Sequence, residues 1–165
     1  TLEVKAIQAP TGYDLQMPAG HIIQTVSATK TDIFSTSSTS AFVDVTGLTA
    51  SITPSSASNK IYVTVSGRFG NTVNGYWVKC QLLRGSTVIT HAGGNQNGQA
   101  SFNGTTCNMT ILDSPSTTSS VTYKVQMRVE GNVGRWNSDG TPNSDGSDST
   151  ITLMEVAGYW HQKLK

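Results

Sequence analysis

SVTYKVQMRVEG, residues 120–131, alternates without interruption. Val121, Tyr123, Val125, Met127 and Val129 fall on one side, and Thr122, Lys124, Gln126, Arg128 and Glu130 on the other. Successive side chains of a strand point to opposite faces, so a period of two predicts a β-strand with one face in a core and the other in water. A helix would need apolar residues at i, i+3 and i+4, and that spacing is nowhere sustained over three turns.

The same period recurs on both sides of this stretch. NKIYVTVSGRF (59–69) directs Ile61, Val63 and Val65 inward, and YWVKCQLLRG (76–85) does so with Val78, Cys80 and Leu82. TTCNMTIL (105–112), AFVDVTGL (41–48), STITLMEVAG (149–158) and HIIQTVSA (21–28) add further strands. Turn-forming clusters lie between them: TPSSASN (53–59), GNTVNG (70–75), HAGGNQNGQ (91–99), DSPSTTS (113–119) and SDGTPNSDGSDS (138–149). Seven to nine short antiparallel strands separated by such turns predict an all-β fold, an antiparallel β-sandwich of jelly-roll-like form. The outer faces are rich in Thr and Ser. Threonine is β-branched and suits a pleated surface while its hydroxyl stays hydrated.

Length and charge narrow the function. The 165 residues fit one domain large enough to build its own core. Charged residues make up 13%, and 11 basic side chains oppose 10 acidic ones. Nothing in that balance draws the protein to nucleic acid or anionic lipid. No apolar stretch is long enough to span a bilayer, and no secretory leader is expected at the start. Cys80 and Cys107 both fall on apolar strand faces. Buried free thiols and a cross-strand bridge are both open to them.

Residues 1–20 read as an extended arm, with Leu2, Val4 and Ile7 apolar before Pro10, Gly12, Pro18 and Gly20 break the pattern. Exposed apolar residues in an arm need something to pack on, so these three are candidates for docking or oligomer contacts. The sandwich is expected over 21–158, with 159–165 as a short tail.

Motifs for catalysis are missing: there is no GxSxG, GxxxxGK[ST], HExxH or GxGxxG. His21, His91 and His161 are scattered, and Asp32, Asp44 and Asp113 sit beside turns where Asp bonds its own backbone. No enzyme and no cofactor are expected. Asp139, Asp145 and Asp148 lie in a Gly-rich loop whose oxygens calcium would tolerate. The loop lacks the closing glutamate of an EF-hand, and the expectation is turn chemistry without a metal. Three other groups carry recognition-type side chains: Arg68, Asn71, Tyr76 and Trp77; His91, Asn95 and Asn97; and Arg135 with Trp136. Amides beside aromatic rings suit sugars, which need hydrogen-bond partners for hydroxyls and a flat surface for the ring. Plain hairpin chemistry explains the asparagines and glycines equally.

Five phrases carry a resemblance: MPAGHIIQTV (17–26), ASITPSSASNKIYV (50–63), LLRGSTVI (82–89), LDSPSTTSSVTYKVQ (112–126) and STITLMEVAG (149–158). In this order they resemble the terminal β-domain of tail-fibre and virion structural proteins of tailed bacteriophages of marine and freshwater bacteria. The resemblance implies a non-enzymatic virion protein, formed in the reducing cytoplasm of the bacterial host. It also implies a homotrimer whose arms contact sister chains. Some twenty residues of this sequence precede the domain where the family often has a fibre stalk, so the tip of a long fibre is not the expectation. A short head or tail fibre that meets a surface glycan through its loops is the leading expectation. A capsid decoration protein is the alternative, and a free carbohydrate-binding module a third.

Overall fold

Val121–Val129 forms strand β8, and Tyr123, Val125, Met127 and Val129 are wholly buried at the centre of the core. The computed structural model describes residues 19–73, 75–95, 104–138 and 147–158. These form β1 (Ile22–Lys30), β2 (Phe34–Thr36), β3 (Val43–Ile52), β4 (Lys60–Asn71) and β5 (Trp77–Arg84). They continue with β6 (Thr87–Asn95), β7 (Thr105–Asp113), β8, β9 (Gly134–Trp136) and β10 (Ser149–Val156). The arm residues Leu2, Val4 and Ile7 and the 159–165 tail lie outside the described residues.

Two antiparallel sheets face each other. One has the order β1-β10-β4-β9-β2, with β7 on the other side of β4, and the other the order β3-β8-β5-β6. In the first sheet β10 pairs with Lys60–Ser66 of β4, and β9 with its Phe69–Asn71 end. β1 with β2, and β9 with β10, therefore act as two broken strands. Counted so, the pairs are nested: β1 on β10, β3 on β8, β4 on β7 and β5 on β6. The chain is one long folded hairpin, rolled until its two halves stack, which is the jelly-roll arrangement of a double-sheet sandwich. Ile61, Val63, Val65, Ile151 and Leu153 of one sheet meet Val78, Leu82, Val125 and Met127 of the other.

Two features depart from simple alternation. Val45 and Leu48 are both buried although they stand three apart. A bulge accommodates this: the register slips between Asp44 and Thr49, and Gly47 takes φ +85°. The second is β6, since the turn expected over 91–99 begins as strand. Gly93 and Gly94 are not turn residues but close-approach residues. A β-carbon on Gly93 would stand 3.1 Å from the Val78 carbonyl oxygen, and one on Gly94 3.0 Å from the Thr105 side chain.

Opposite ends of the sandwich are tied by polar groups. At one end the buried Tyr123 hydroxyl donates to Asp113 Oδ2 at 2.7 Å. Arg84 Nη1 grips both oxygens of the same carboxylate at 2.9 and 2.8 Å. Burial, reinforced by the Asp113 carboxylate, pushes the Tyr123 phenol far up, so it remains a donor. Asp113 sits on one sheet and Arg84 and Tyr123 on the other, so this clamp joins the layers.

The strand breaks are held by a buried knot. Trp136 Nε1 donates to Ser149 Oγ at 2.7 Å, and that hydroxyl donates onward to Asn137 Oδ1. Asn137 Nδ2 donates to the carbonyls of Lys30 (2.8 Å) and Asp32 (3.0 Å), and its backbone N–H donates to Arg68 O at 2.8 Å. Asn137 adopts φ +61°, a conformation asparagine tolerates better than most residues. Gly67 lies underneath. A β-carbon there would collide with Ser149 Oγ and stand 3.0 Å from Trp136 Cζ2.

Ser149→Ala leaves a buried indole N–H and a buried amide oxygen without partners, at an expected cost of about 1–3 kcal/mol. Urea unfolding with an unchanged m-value measures it. A loss below about 0.5 kcal/mol, the range of an ordinary surface change, would mean the knot does not hold the strand ends.

Candidate functional site

The outer face of the four-stranded sheet is where aromatic and cationic side chains gather. Alternation turns Trp77 and Lys79 of β5, His91 and Gly93 of β6, and Lys124, Gln126 and Arg128 of β8 away from the core. In register, Lys79 lies between Arg128 on one side and Gly93 on the other, while Gln81 lies between Gln126 and His91. Gly93 has no side chain, so the sheet surface dips opposite Lys79. The result is an open cleft of about 510 Å³, bounded by Phe42, Trp77, Lys79, His91, Gly93 and Arg128. That volume is in the range of small-molecule sites.

Each wall is held by its neighbours. The Arg128 guanidinium stands 5.2 Å over the Phe42 ring, and its Nη1 donates to Thr39 O at 3.2 Å. Lys79 Nζ meets Glu130 Oε1 at 2.6 Å, a pair exposed on both sides. Farther along the face, Gln81 Nε2 donates to Gln126 Oε1 at 2.7 Å and Gln126 Nε2 to Asp44 Oδ1 at 2.6 Å. Lys124 Nζ reaches Asp44 Oδ2 at 3.0 Å. The bonds from Gln126, and then from Lys124, hold the Asp44 carboxyl below its ordinary range. Among the described residues no acidic side chain lines the cleft. Such a surface can stack a ring on Trp77 and offer donors to oxygens.

The sequence-derived candidates separate. Trp77, 42% exposed, and His91 come together in the cleft, and Asn95 pairs with Trp77 across the strands. Tyr76 is exposed beside them, with its ring against Gly131. Arg68 and Arg135 are half-buried on β4 and β9, in the other sheet, and do not reach this face.

Two assignments are corrected. Trp136 is fully buried as part of the knot, with its ring 5.8 Å from that of Phe69, so it offers no surface to a receptor. Asn71 is also buried. Its Nδ2 donates to Gly131 O at 2.9 Å and its Oδ1 accepts from the Val73 N–H at 3.0 Å, which shapes the turn after β4. Asn97, Asp139 and Asp145 lie outside the described residues, and Asp148 is exposed. Among the described residues no group of three His, Cys, Asp or Glu gathers as for a metal.

Sequence reasoning missed Phe42, Lys79, Gly93 and Arg128 because it sought recognition in loops. The signal was present in strands: Arg128 is one of the outward residues of the stretch quoted first.

The remaining ionisable groups do other work. Cys80 and Cys107 are free and buried, and desolvation, with Cys107 against it, pushes the Cys80 thiol up. Asp32 bonds its own backbone as expected and also pairs with Lys30, while Asp44 and Asp113 pair with Lys124 and Arg84. Glu155 is wholly buried on β10 and receives Gln24 Nε2 (2.6 Å), Asn59 Nδ2 (2.6 Å), and Ser55 N–H (2.7 Å) and Oγ (2.8 Å). Burial alone would raise its pKa. The bonds from Asn59, Gln24 and Ser55 together outweigh that and lower it. A carboxylate held ionised and enclosed is an anchor for the 53–59 turn, not a proton donor.

No protein-family model and no curated sequence matches the chain. Among solved structures it is similar to that of the infectious bursal disease virus Gt strain, at 12% identity and a TM-score of 0.47. That match covers 94% of this chain and 43% of the other. The Gx strain structure of that virus matches at 12% identity and 0.47, over 94% and 42%. Its VP2 subviral particle matches at 12% identity and 0.44, also over 94% and 42%. The chain spans less than half the length of those proteins.

Because the folded pKa of Glu155 is depressed, its contribution is present above the unfolded carboxyl value of about 4.3 and is lost as pH falls through the folded value. Glu155→Gln sets an amide donor among donors and should cost about 1–3 kcal/mol at pH 7. The gap to the parent protein should narrow in acid. Urea unfolding at neutral and acid pH tests this, and a pH-independent gap would contradict it.

Proposed function

We propose that the chain is a non-enzymatic bacteriophage virion protein whose four-stranded sheet meets a glycan of the host surface. The observation that carries the binding part is the cleft: an exposed indole at Trp77, beside His91 and Arg128, on a sheet held rigid by the core. Sites on strands keep their geometry better than sites on loops, and stacking on an aromatic ring with nearby donors is what a sugar requires. The virion part draws on the five-phrase resemblance, which extends from residue 17 to residue 158 and brings no catalytic residues with it. In this reading the arm, through Leu2, Val4 and Ile7, docks the domain to the particle or to sister chains of a trimer.

A second reading, a decoration protein seated on a shell, has one observation in its favour. Leu112 of β7, Tyr62 of β4 and Met154 of β10 stand side by side in register on the outer face of the other sheet. Leu112 is 49% and Tyr62 37% exposed. An apolar row of that kind fits contact with another protein.

Trp77→Ala in the virion should lower adsorption to host cells at least tenfold while the domain unfolds at the same urea concentration as the parent. Unchanged adsorption with normal incorporation would remove the glycan role and leave the decoration reading. Trp136→Ala should instead prevent folding, at about 3–5 kcal/mol for the lost core aromatic.

A further inference from the structure

We propose that the cleft takes an acidic sugar, with its carboxylate between Arg128 and Lys79 and its ring on Trp77. This rests on the glycan reading above and specifies the ligand class. The first observation is the register. Lys79 and Arg128 stand directly opposite each other across β5 and β8, on the same outward face. Like charges so placed repel, which costs stability unless an anion lies between them. In a chain with only 13% charged residues, two cations stand opposite each other in this way at a cleft whose described lining has no acidic residue.

The partners those cations already have do not satisfy the site. The Lys79–Glu130 pair is exposed at 38% and 41%, and exposed pairs are worth about 0–1 kcal/mol, so a ligand carboxylate can take over the lysine. Arg128 is positioned more than it is neutralised. Phe42 supports the face of the guanidinium and Thr39 O takes a donor, but neither carries a negative charge. A planar guanidinium held in one orientation matches the two oxygens of a carboxylate, and a lysine beside it adds a point charge. Asp44, an acid on the same face, is occupied by Lys124 and Gln126. Gly93 leaves room over the strand for the sugar ring next to Trp77.

The test titrates the full chain with oligogalacturonate, oligosialate and a neutral galactose oligomer of similar length, by calorimetry and tryptophan fluorescence. An acidic oligomer should bind at least about tenfold tighter than the neutral one, a preference that shrinks as salt rises from about 0.05 to 0.3 M. Arg128→Gln and Lys79→Gln should each erase that preference and leave the weak neutral binding unchanged, while Trp77→Ala should weaken every sugar. Urea unfolding confirms that each variant is folded, and the two charge variants check one another. Equal binding of acidic and neutral oligomers, dependent on Trp77, would overturn the acidic assignment and keep the glycan reading. Failure of all three sugars would overturn both. Acidic binding that survives Trp77→Ala, and is matched by a DNA oligonucleotide of equal charge, would reduce the site to an unspecific cationic patch.

Discussion

Trp136, Asn137 and Ser149 lie where four strand ends converge, and all three are buried. The eight-strand roll requires two of its strands to break, because β4 is too long to be covered by β10 alone and needs β9 along its last residues. Each break exposes backbone groups that a sandwich interior cannot leave unpaired. One asparagine side chain answers at both breaks: its amide nitrogen takes the carbonyls where β1 ends, and its oxygen takes the hydroxyl where β10 begins. Ser149 is the hinge of the arrangement because a hydroxyl can accept from the indole and donate to the amide at once. Replacing any member with an apolar group of similar size would strand at least one of the others.

That knot determines which face is left for function. With Trp136 committed to the interior and Asn71 committed to its turn, the six-stranded sheet keeps hydroxyls, an apolar row and the half-buried Arg68 and Arg135. The four-stranded sheet keeps Trp77 and the opposed pair Lys79 and Arg128. The two surfaces therefore suit different contacts, one protein-like and one ligand-like, and they lie on opposite sides of the same core. A molecule fixed to a particle by one face would present the other outward.

The sandwich was legible in the sequence because alternation depends on the pleat alone, and the five inward residues of β8 needed nothing else to be placed. Three short or Gly-rich strands were not. β2 and β9 have three residues each and show no period, and β6 contains a Gly-Gly pair that reads as a turn. There the glycines serve close approach between strands, which only the paired neighbours reveal. For the site, Trp77 and His91 were legible as residue types. Their meeting was not, since it depends on the register of β5 against β6. Trp136 misled for the same reason: beside Arg, Asn and Asp it has the composition of a binding loop, while its partners are Ser149, 13 residues on, and Phe69 on β4.

The hydroxyl-rich skin is the background against which the proposed acidic-sugar cleft would select. Thr and Ser on outward positions hydrate well and create no field, so a neutral surface neither attracts nor repels polymers in general. Against that background two opposed cations act over short range, within roughly the 8 Å screening length of physiological salt. A ligand must reach the cleft before it feels them. In the proposed reading, charge would then discriminate among molecules already stacked on Trp77, with the aromatic contact the condition for binding and the cations the source of choice.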